Sequence, residues 1–274
     1  MANLSRVPFA LSTDGVALYY EVHGSGERTL LLLAGQANTH RWWDSVRADF
    51  DAEFRTVVLD WRGTGRSDKP DTDTYSTRGF AADAVAVLDH AGCGRAHVYG
   101  TSMGGRVAQW LAADHPGRVG ALVLGCTSPG APHGIERDAA VRRSLVQRGA
   151  AAARRALLEL MYTPAWLETH PGPYGTLGDP AMPPHARRHH LAASAGHDAW
   201  AVLPRITAPT LVVHGTDDVF NPAANAPLIA NRIPGARLHL ISGARHAYFE
   251  EFRSVASPLV VRFLRECALR RLAD

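Results

Sequence analysis

His97-Val98-Tyr99-Gly100-Thr101-Ser102-Met103-Gly104-Gly105 opens a stretch that runs on through Arg106 to His115. Its first three residues read as the end of a buried strand, and Gly105 to His115 as a helix. Ser102 therefore stands at the centre of Gly-x-Ser-x-Gly on a strand-to-helix turn. So sharp a turn predicts a strained backbone at the serine, with Gly100 and Gly104 where a Cβ would clash. It would lift the hydroxyl above the carboxyl ends of the strands. It would also aim the first N–H groups of the helix at an oxyanion forming beside it. A plain βα turn whose serine only caps a helix fits the same letters. The rest of the chain has to decide.

Working outward, Asp14-Gly15 between Val7–Leu11 and Ala17–His23 signals a hairpin. Thr29-Leu30-Leu31-Leu32-Leu33 is a continuous apolar run suited to a strand covered on both faces. Phe54 to Asp60 and Val119 to Leu124 read as further strands, and Thr77 to His90 as a helix with Phe80, Ala84, Val87 and Leu88 on one face. The rhythm breaks at Thr127. It resumes with a strand at Thr210 to His214, a helix near 223–232, a strand at Arg237 to Ile241 and a closing helix from Ser254 to Leu272. Strands alternating with helices at this spacing predict a mostly parallel sheet with helices on both faces. Between the two series lie helical stretches near 135–161 and 185–201, separated by a segment dense in Pro and Gly. The expected organisation is an α/β core, 1–128 and 206–274, interrupted by a helical cap, 129–205.

With 274 residues, 46% of them hydrophobic and 20% charged, the chain has the makings of a globular protein with a large core. Its net charge of +3 comes from scattered arginines, and Lys69 is the single lysine. No basic run interleaved with aromatics points to nucleic acid. No stretch approaches about 18 uninterrupted apolar residues, so no membrane partner is expected. Cys93, Cys126 and Cys267 are too few and too far apart for a disulfide framework or a metal site. With no signal-like apolar core in Met1 to Leu11, these features predict a cytoplasmic protein with reduced thiols.

A serine hydroxyl needs an adjacent base, and the base needs a group to orient it. His246 has the best address, in the loop Ser242-Gly243-Ala244-Arg245-His246 after the last strand. The loop after Thr210–His214 supplies Asp217 and Asp218, whereas Gly125-Cys126-Thr127-Ser128 offers no acid. Either aspartate fits at this point. The chain order serine, acid, histidine matches one of the three familiar triad orders.

These motifs carry a resemblance. The Gly-Thr-Ser-Met-Gly-Gly turn at 100–105, Asp60-x-Arg62-Gly63-x-Gly65-x-Ser67, Gly215-x-x-Asp218 and Gly243-x-x-His246 together resemble the α/β-hydrolase superfamily over nearly the whole chain outside the insertion. The stretch from Ser102 to Pro116 looks most like enol-lactone hydrolases, small esterases and cofactor-free haloperoxidases. The resemblance implies an eight-stranded, mostly parallel sheet and no cofactor or metal. It implies Ser102 as nucleophile, His246 as base and Asp218, rather than Asp217, as the acid. It also implies an oxyanion hole made by the N–H groups of Gln36 and Met103. The family's usual His-Gly-x before that hole reads Ala34-Gly35-Gln36 here, which removes a side chain that braces the loop.

The implied activity is hydrolysis of a small-molecule carboxylic ester or lactone through an acyl-enzyme. Rival readings are perhydrolysis or C–C bond hydrolysis on the same residues, and a non-catalytic ligand-binding receptor or scaffold. An aspartate nucleophile, as in haloalkane dehalogenases, is disfavoured by Ser102. In the insertion Met161, Tyr162, Trp166, Tyr174, Met182 and Trp200 either line a substrate pocket or pack the cap. Of these, Tyr162, Trp166 and Trp200 are the candidates for binding substrate. His185, His189 and His190, set among Arg187 and Arg188, are expected on a solvated basic face rather than around a metal. Arg154, Arg155, Arg187 and Arg188 are likewise expected as exposed helix charge.

Overall fold

The computed structural model describes residues 8–73, 75–146 and 149–270. The first residue of the expected hairpin, Val7, and the last residues of the expected closing helix, 271–272, lie outside the described residues, as do 1–6, 74 and 273–274 of the expected core and 147–148 of the expected cap. Among the described residues eight strands form one sheet: β1 (Phe9–Leu11), β2 (Ala17–His23), β3 (Arg28–Leu33), β4 (Phe54–Leu59), β5 (Ala96–Thr101), β6 (Val119–Gly125), β7 (Thr210–Gly215) and β8 (Arg237–Ile241). Their spatial order is β1-β2-β4-β3-β5-β6-β7-β8. The pairs β1/β2 and β2/β4 are antiparallel, and the remainder are parallel.

The leucine run of β3 shows why both faces must be covered. Leu31 and Leu33 enter one apolar cluster with α2 (Thr77–His90), α3 (Met103–Asp114) and α8 (Asn225–Arg232). Leu30 and Leu32 enter the other, with α1 (Ala48–Asp51) and α10 (Arg253–Arg270). Alternate residues of a strand point to opposite faces, so an unbroken apolar run needs helices on both. Arg62 fastens the antiparallel edge to α2, bonding Asp14 beside the hairpin turn at 2.7 Å and Asp83 at 2.6 Å.

Between β6 and β7 the chain forms α4 (Ala139–Leu145), α5 (Ala150–Met161), α6 (Pro164–Thr169) and α7 (Pro184–Ala195). The short helix α6 stands in the segment dense in Pro and Gly that separates the two expected helical stretches. Pro164 sits at its first position, where a missing N–H costs nothing, and Thr163 caps it. The two ends of the segment close on each other through a bridge between Gly130 and Asp198 and a 2.9 Å bond from Ala199 N to Pro129 O. Its middle is tied to α9 (Tyr248–Glu251), where Glu250 accepts from the Tyr162 hydroxyl and Glu251 from Thr163 N.

Register places the chemistry. Leu33, Gly100, Leu124, Val212 and Leu238 lie abreast in neighbouring strands, so the loops leaving β3, β5, β6, β7 and β8 emerge on one edge. All the residues singled out for catalysis stand on those loops or at the start of α3. Among the described residues no helix is long and apolar enough to cross a membrane.

Candidate active site

Ser102 sits at φ 55°, ψ −121°, a region in which a residue with a Cβ is strained. The strain is held by packing on both sides. Ser102 N donates to Gly125 O at 2.9 Å, and its carbonyl accepts from Gly105 N and from the Thr127 hydroxyl. A Cβ on Gly100 would stand 2.2 Å from Gly104 O, and one on Gly104 would stand 2.1 Å from Leu33 O. Only glycines let the turn close this tightly against β3. The approach brings Met103, the first residue of α3, beside the loop that carries Gln36.

That loop has a brace the sequence does not advertise. The Asn38 side chain donates to Gln36 O at 2.8 Å and accepts from Gly178 N at 2.8 Å. His190, from α7, accepts from Ala37 N through Nδ1 at 3.3 Å and makes a 2.8 Å bond through Nε2 to Arg62 O. The ring is fully buried, which pushes its pKa down to about 4 and keeps it neutral. A neutral ring with its proton on Nε2 satisfies both bonds. So His190 departs from the solvated basic face expected for it. It occupies a polar gap between the loop after β3 and the turn after β4. His185 and His189 turn elsewhere, to Lys69 O and Asp71.

His246 Nδ1 lies 2.7 Å from Asp218 Oδ2. Both residues are buried, at 1% and 2% exposure, whereas Asp217 is exposed and accepts from the neighbouring Thr216 hydroxyl. Two backbone bonds bring the β7 and β8 loops together, Thr216 N to Ile241 O and Asp217 N to Ala244 O, each 3.0 Å. They turn the next residue, Asp218, toward the histidine. The second Asp218 oxygen accepts from Asn221 N at 2.8 Å. Burial alone would raise the Asp218 carboxyl, but the charge and hydrogen bonds of His246 and His214 outweigh it and hold the group well below the usual carboxylate range. His246 Nε2 is buried, without a hydrogen-bond partner among the described residues. The Phe220 ring packs on the imidazole in a T-shaped contact, with 4.8 Å between centroids.

Ser102, His246, Gln36 and Met103 line one cavity of about 230 Å³. That is a small-molecule volume. Trp42 and Phe220 form part of its wall, and the 129–205 segment contributes Arg137, Leu157, Met161 and Leu191. The structure therefore brings together Ser102, His246, Asp218, Gln36 and Met103. It does not bring Tyr162, Trp166 or Trp200 to the cavity wall. Tyr162 is fully buried with its hydroxyl on Thr176 and Glu250, and Trp166 is stacked between it and His170 at 4.4 and 4.2 Å. Trp200 packs on His133 and Arg232. Of the six apolar candidates in the insertion, Met161 is the one that reaches the cavity. The sequence places it among the six, but no local pattern separates it from its neighbour Tyr162, whose hydroxyl turns to Thr176 and Glu250.

Comparison with known proteins places this geometry in context. The alpha/beta hydrolase fold family matches residues 23–252. The proposed carbamate hydrolase RutD of Caulobacter sp. strain K31 is 31% identical over 92% of this chain and 97% of its own length. A 2-hydroxy-6-oxononadienedioate/2-hydroxy-6-oxononatrienedioate hydrolase of Pseudomonas sp. is 30% identical over 88% of this chain and 86% of its own. The structure of the enol-lactonase of Burkholderia xenovorans LB400 superposes with a TM-score of 0.82, covering 94% of this chain and all of that one at 25% identity.

Proposed function

The chain belongs to the α/β-hydrolase fold family, and from that premise we propose that it is a serine hydrolase that cleaves a carboxylic ester or lactone of a small molecule. The observation that carries this reading is the strained Ser102 opening on the same small cavity as His246, whose far nitrogen is held by a buried, ionised Asp218. In the proposed cycle Ser102 Oγ attacks the carbonyl carbon while His246 Nε2 takes its proton. The carbonyl oxygen, now anionic, is received by the N–H groups of Gln36 and Met103. The intermediate collapses, the alkoxide leaves with the proton from His246, and Ser102 is left acylated. Water then attacks by the same route and frees the acid. Asp218 holds the imidazole tautomer with its proton on Nδ1 and stabilises the imidazolium.

Carbamate and enol-lactone hydrolysis, the reactions printed in two relatives' names, and C–C bond hydrolysis, a rival reading from the sequence, all begin with attack at a carbonyl. The same residues serve each of them. Ester or lactone cleavage asks least of these residues, because an alkoxide leaving group needs only the proton that His246 has taken from Ser102. We also read 129–205 as a cap over the carboxyl edge of the sheet, since Arg137, Leu157, Met161, Arg187 and Leu191 close the cavity from that side. Assay of the purified protein against matched esters, lactones, carbamates and a vinylogous 1,5-diketone tests the proposal. Turnover of the first two classes is expected. Turnover of the diketone alone would replace the proposal with C–C hydrolysis.

A further inference from the structure

Arg106, Arg137 and Arg187 line the cavity above Ser102, and among the described residues no carboxylate does. The negative charges that act on Arg137, Glu136 and Asp218, stand outside that lining. Among the described residues the hydrogen bonds of these arginines go to neutral oxygens. Arg106 donates to Ser194 O at 2.6 Å and to Ser128 Oγ at 2.9 Å, and Arg187 donates to Asp179 O at 3.4 Å. The Arg137 guanidinium lies over the Phe220 ring, 4.4 Å from its centroid. Elsewhere this protein pairs a buried arginine fully: Arg62 has both Asp14 and Asp83. Half-buried cations side by side are costly unless an anion joins them. Burial, and then the neighbouring charge of Arg137, push Arg106 down to about 10, with the exposed Glu136 offsetting part of the effect.

The placement is specific to the reacting centre. Arg106 is four residues beyond Ser102, one helical turn along α3. Arg137 lies on Phe220, the same ring that packs against His246. Arg187 stands at the exposed rim of the cavity. A guanidinium presents a planar fork that matches a carboxylate, and a cavity of one sign concentrates the opposite charge.

We propose that the substrate of this site carries a carboxylate remote from its scissile bond, bound by Arg106 and Arg137 with Arg187 at the entrance. This rests on the reading of Ser102 as the nucleophile and gives that reaction its substrate class: an anionic ester or lactone. An uncharged ester of the same shape leaves the guanidiniums unpaired and binds more weakly. A cationic ester is repelled.

The test separates binding from turnover. Ser102→Ala protein is titrated calorimetrically with two matched pairs: methyl hydrogen glutarate against methyl pentanoate, and 4-acetoxybutanoate against butyl acetate. The first pair puts the carboxylate on the acyl half and the second on the alcohol half. At least one anionic ester should bind about tenfold or more tighter than its neutral mate, as charge-assisted pairing requires. The pair that shows the preference identifies which half of the substrate faces the arginines. The preference should shrink as salt rises from about 0.05 to about 0.5 M, where screening sets in. It should also fall in Arg137→Gln and, independently, in Arg187→Gln at the rim. Equal affinities within both pairs, or substitutions that weaken both members alike, would overturn the proposal. Turnover of the four esters by the unsubstituted protein is read separately. Anionic esters that bind preferentially but are never cleaved would count against the hydrolytic reading and not against the arginine site.

Discussion

At Ser102 the backbone is held at positive φ by its neighbours, so the cost of the conformation is borne by the fold and not by the bound substrate. Ser102→Ala removes one oxygen and retains that backbone. It should lower ester turnover by about a thousandfold or more, with an unchanged melting temperature, because the hydroxyl acts together with the histidine as a unit. An alanine protein that keeps about a tenth of the activity would remove Ser102 from the mechanism. One residue apart, Asp217 and Asp218 have opposite surroundings: the first is in solvent, the second buried against His246 and His214. Asp218→Asn should cost about a hundredfold or more in kcat and Asp217→Asn almost nothing, because an amide cannot stabilise the imidazolium. Equal losses would reassign the acid. The choice between these two aspartates was legible only through resemblance. Spacing alone admits both, and which of them meets His246 depends on backbone bonds between two distant loops.

At the scale of elements, the sharp β5–α3 turn and the loop after β3 act as one part. Gly104→Ala puts a methyl group into the Leu33 carbonyl, so the turn or the strand must shift. We expect a loss of about 2 kcal/mol in unfolding free energy. A larger fall in kcat than in substrate affinity should accompany it, as the Met103 N–H moves off its position. Stability and kcat both unchanged would show that the close approach is unimportant. The wall of the cavity belongs to other residues than the aromatic ones suggest from sequence. Met161→Ala and Leu157→Ala should alter the ranking of acyl chain lengths, while Trp166→Ala, on the far side of Tyr162, should scale all substrates alike. Comparing kcat/KM over a series of acyl lengths checks both. Aromatic residues in a Pro- and Gly-rich stretch signal packing of some kind. Which side of the chain they face depends on bonds such as Tyr162 to Glu250, 88 residues away, and no local pattern encodes that.

Across the whole molecule, the sheet was legible because apolar runs such as Leu30–Leu33 in β3 and Val119–Leu124 in β6 stand between turn signals at regular spacing. The brace of the loop that carries Gln36 was not. His190 and Ala37 lie 153 residues apart and meet only when α7 packs over the core. That burial has a measurable consequence. The folded-state pKa of His190 is lowered to about 4 from 6.5, and that of His197 is also lowered, by burial and then by Arg106. The unfolded chain therefore binds more protons between these values, so stability is fully present above pH 6.5 and is lost as pH falls toward 4. His190 alone should contribute up to about 3 kcal/mol of this loss. Denaturant unfolding at a series of pH values should show the decline, with a shallower slope in His190→Gln. A flat profile, or an equal slope in the variant, would refute the account of this histidine. Asp218 stays ionised well below this window, so the acid limb of kcat/KM should reflect a single proton with unit slope.

The central claim is a covalent acyl-enzyme on Ser102, and the most direct measurement is intact and peptide mass after reaction with a small activated phosphonate and, separately, with an activated ester quenched in acid. The account predicts a single stoichiometric adduct on the peptide that carries Ser102. That adduct should be absent from Ser102→Ala and suppressed in His246→Ala. An adduct on any other residue, or full ester turnover with Ser102 unmodified throughout, would contradict it.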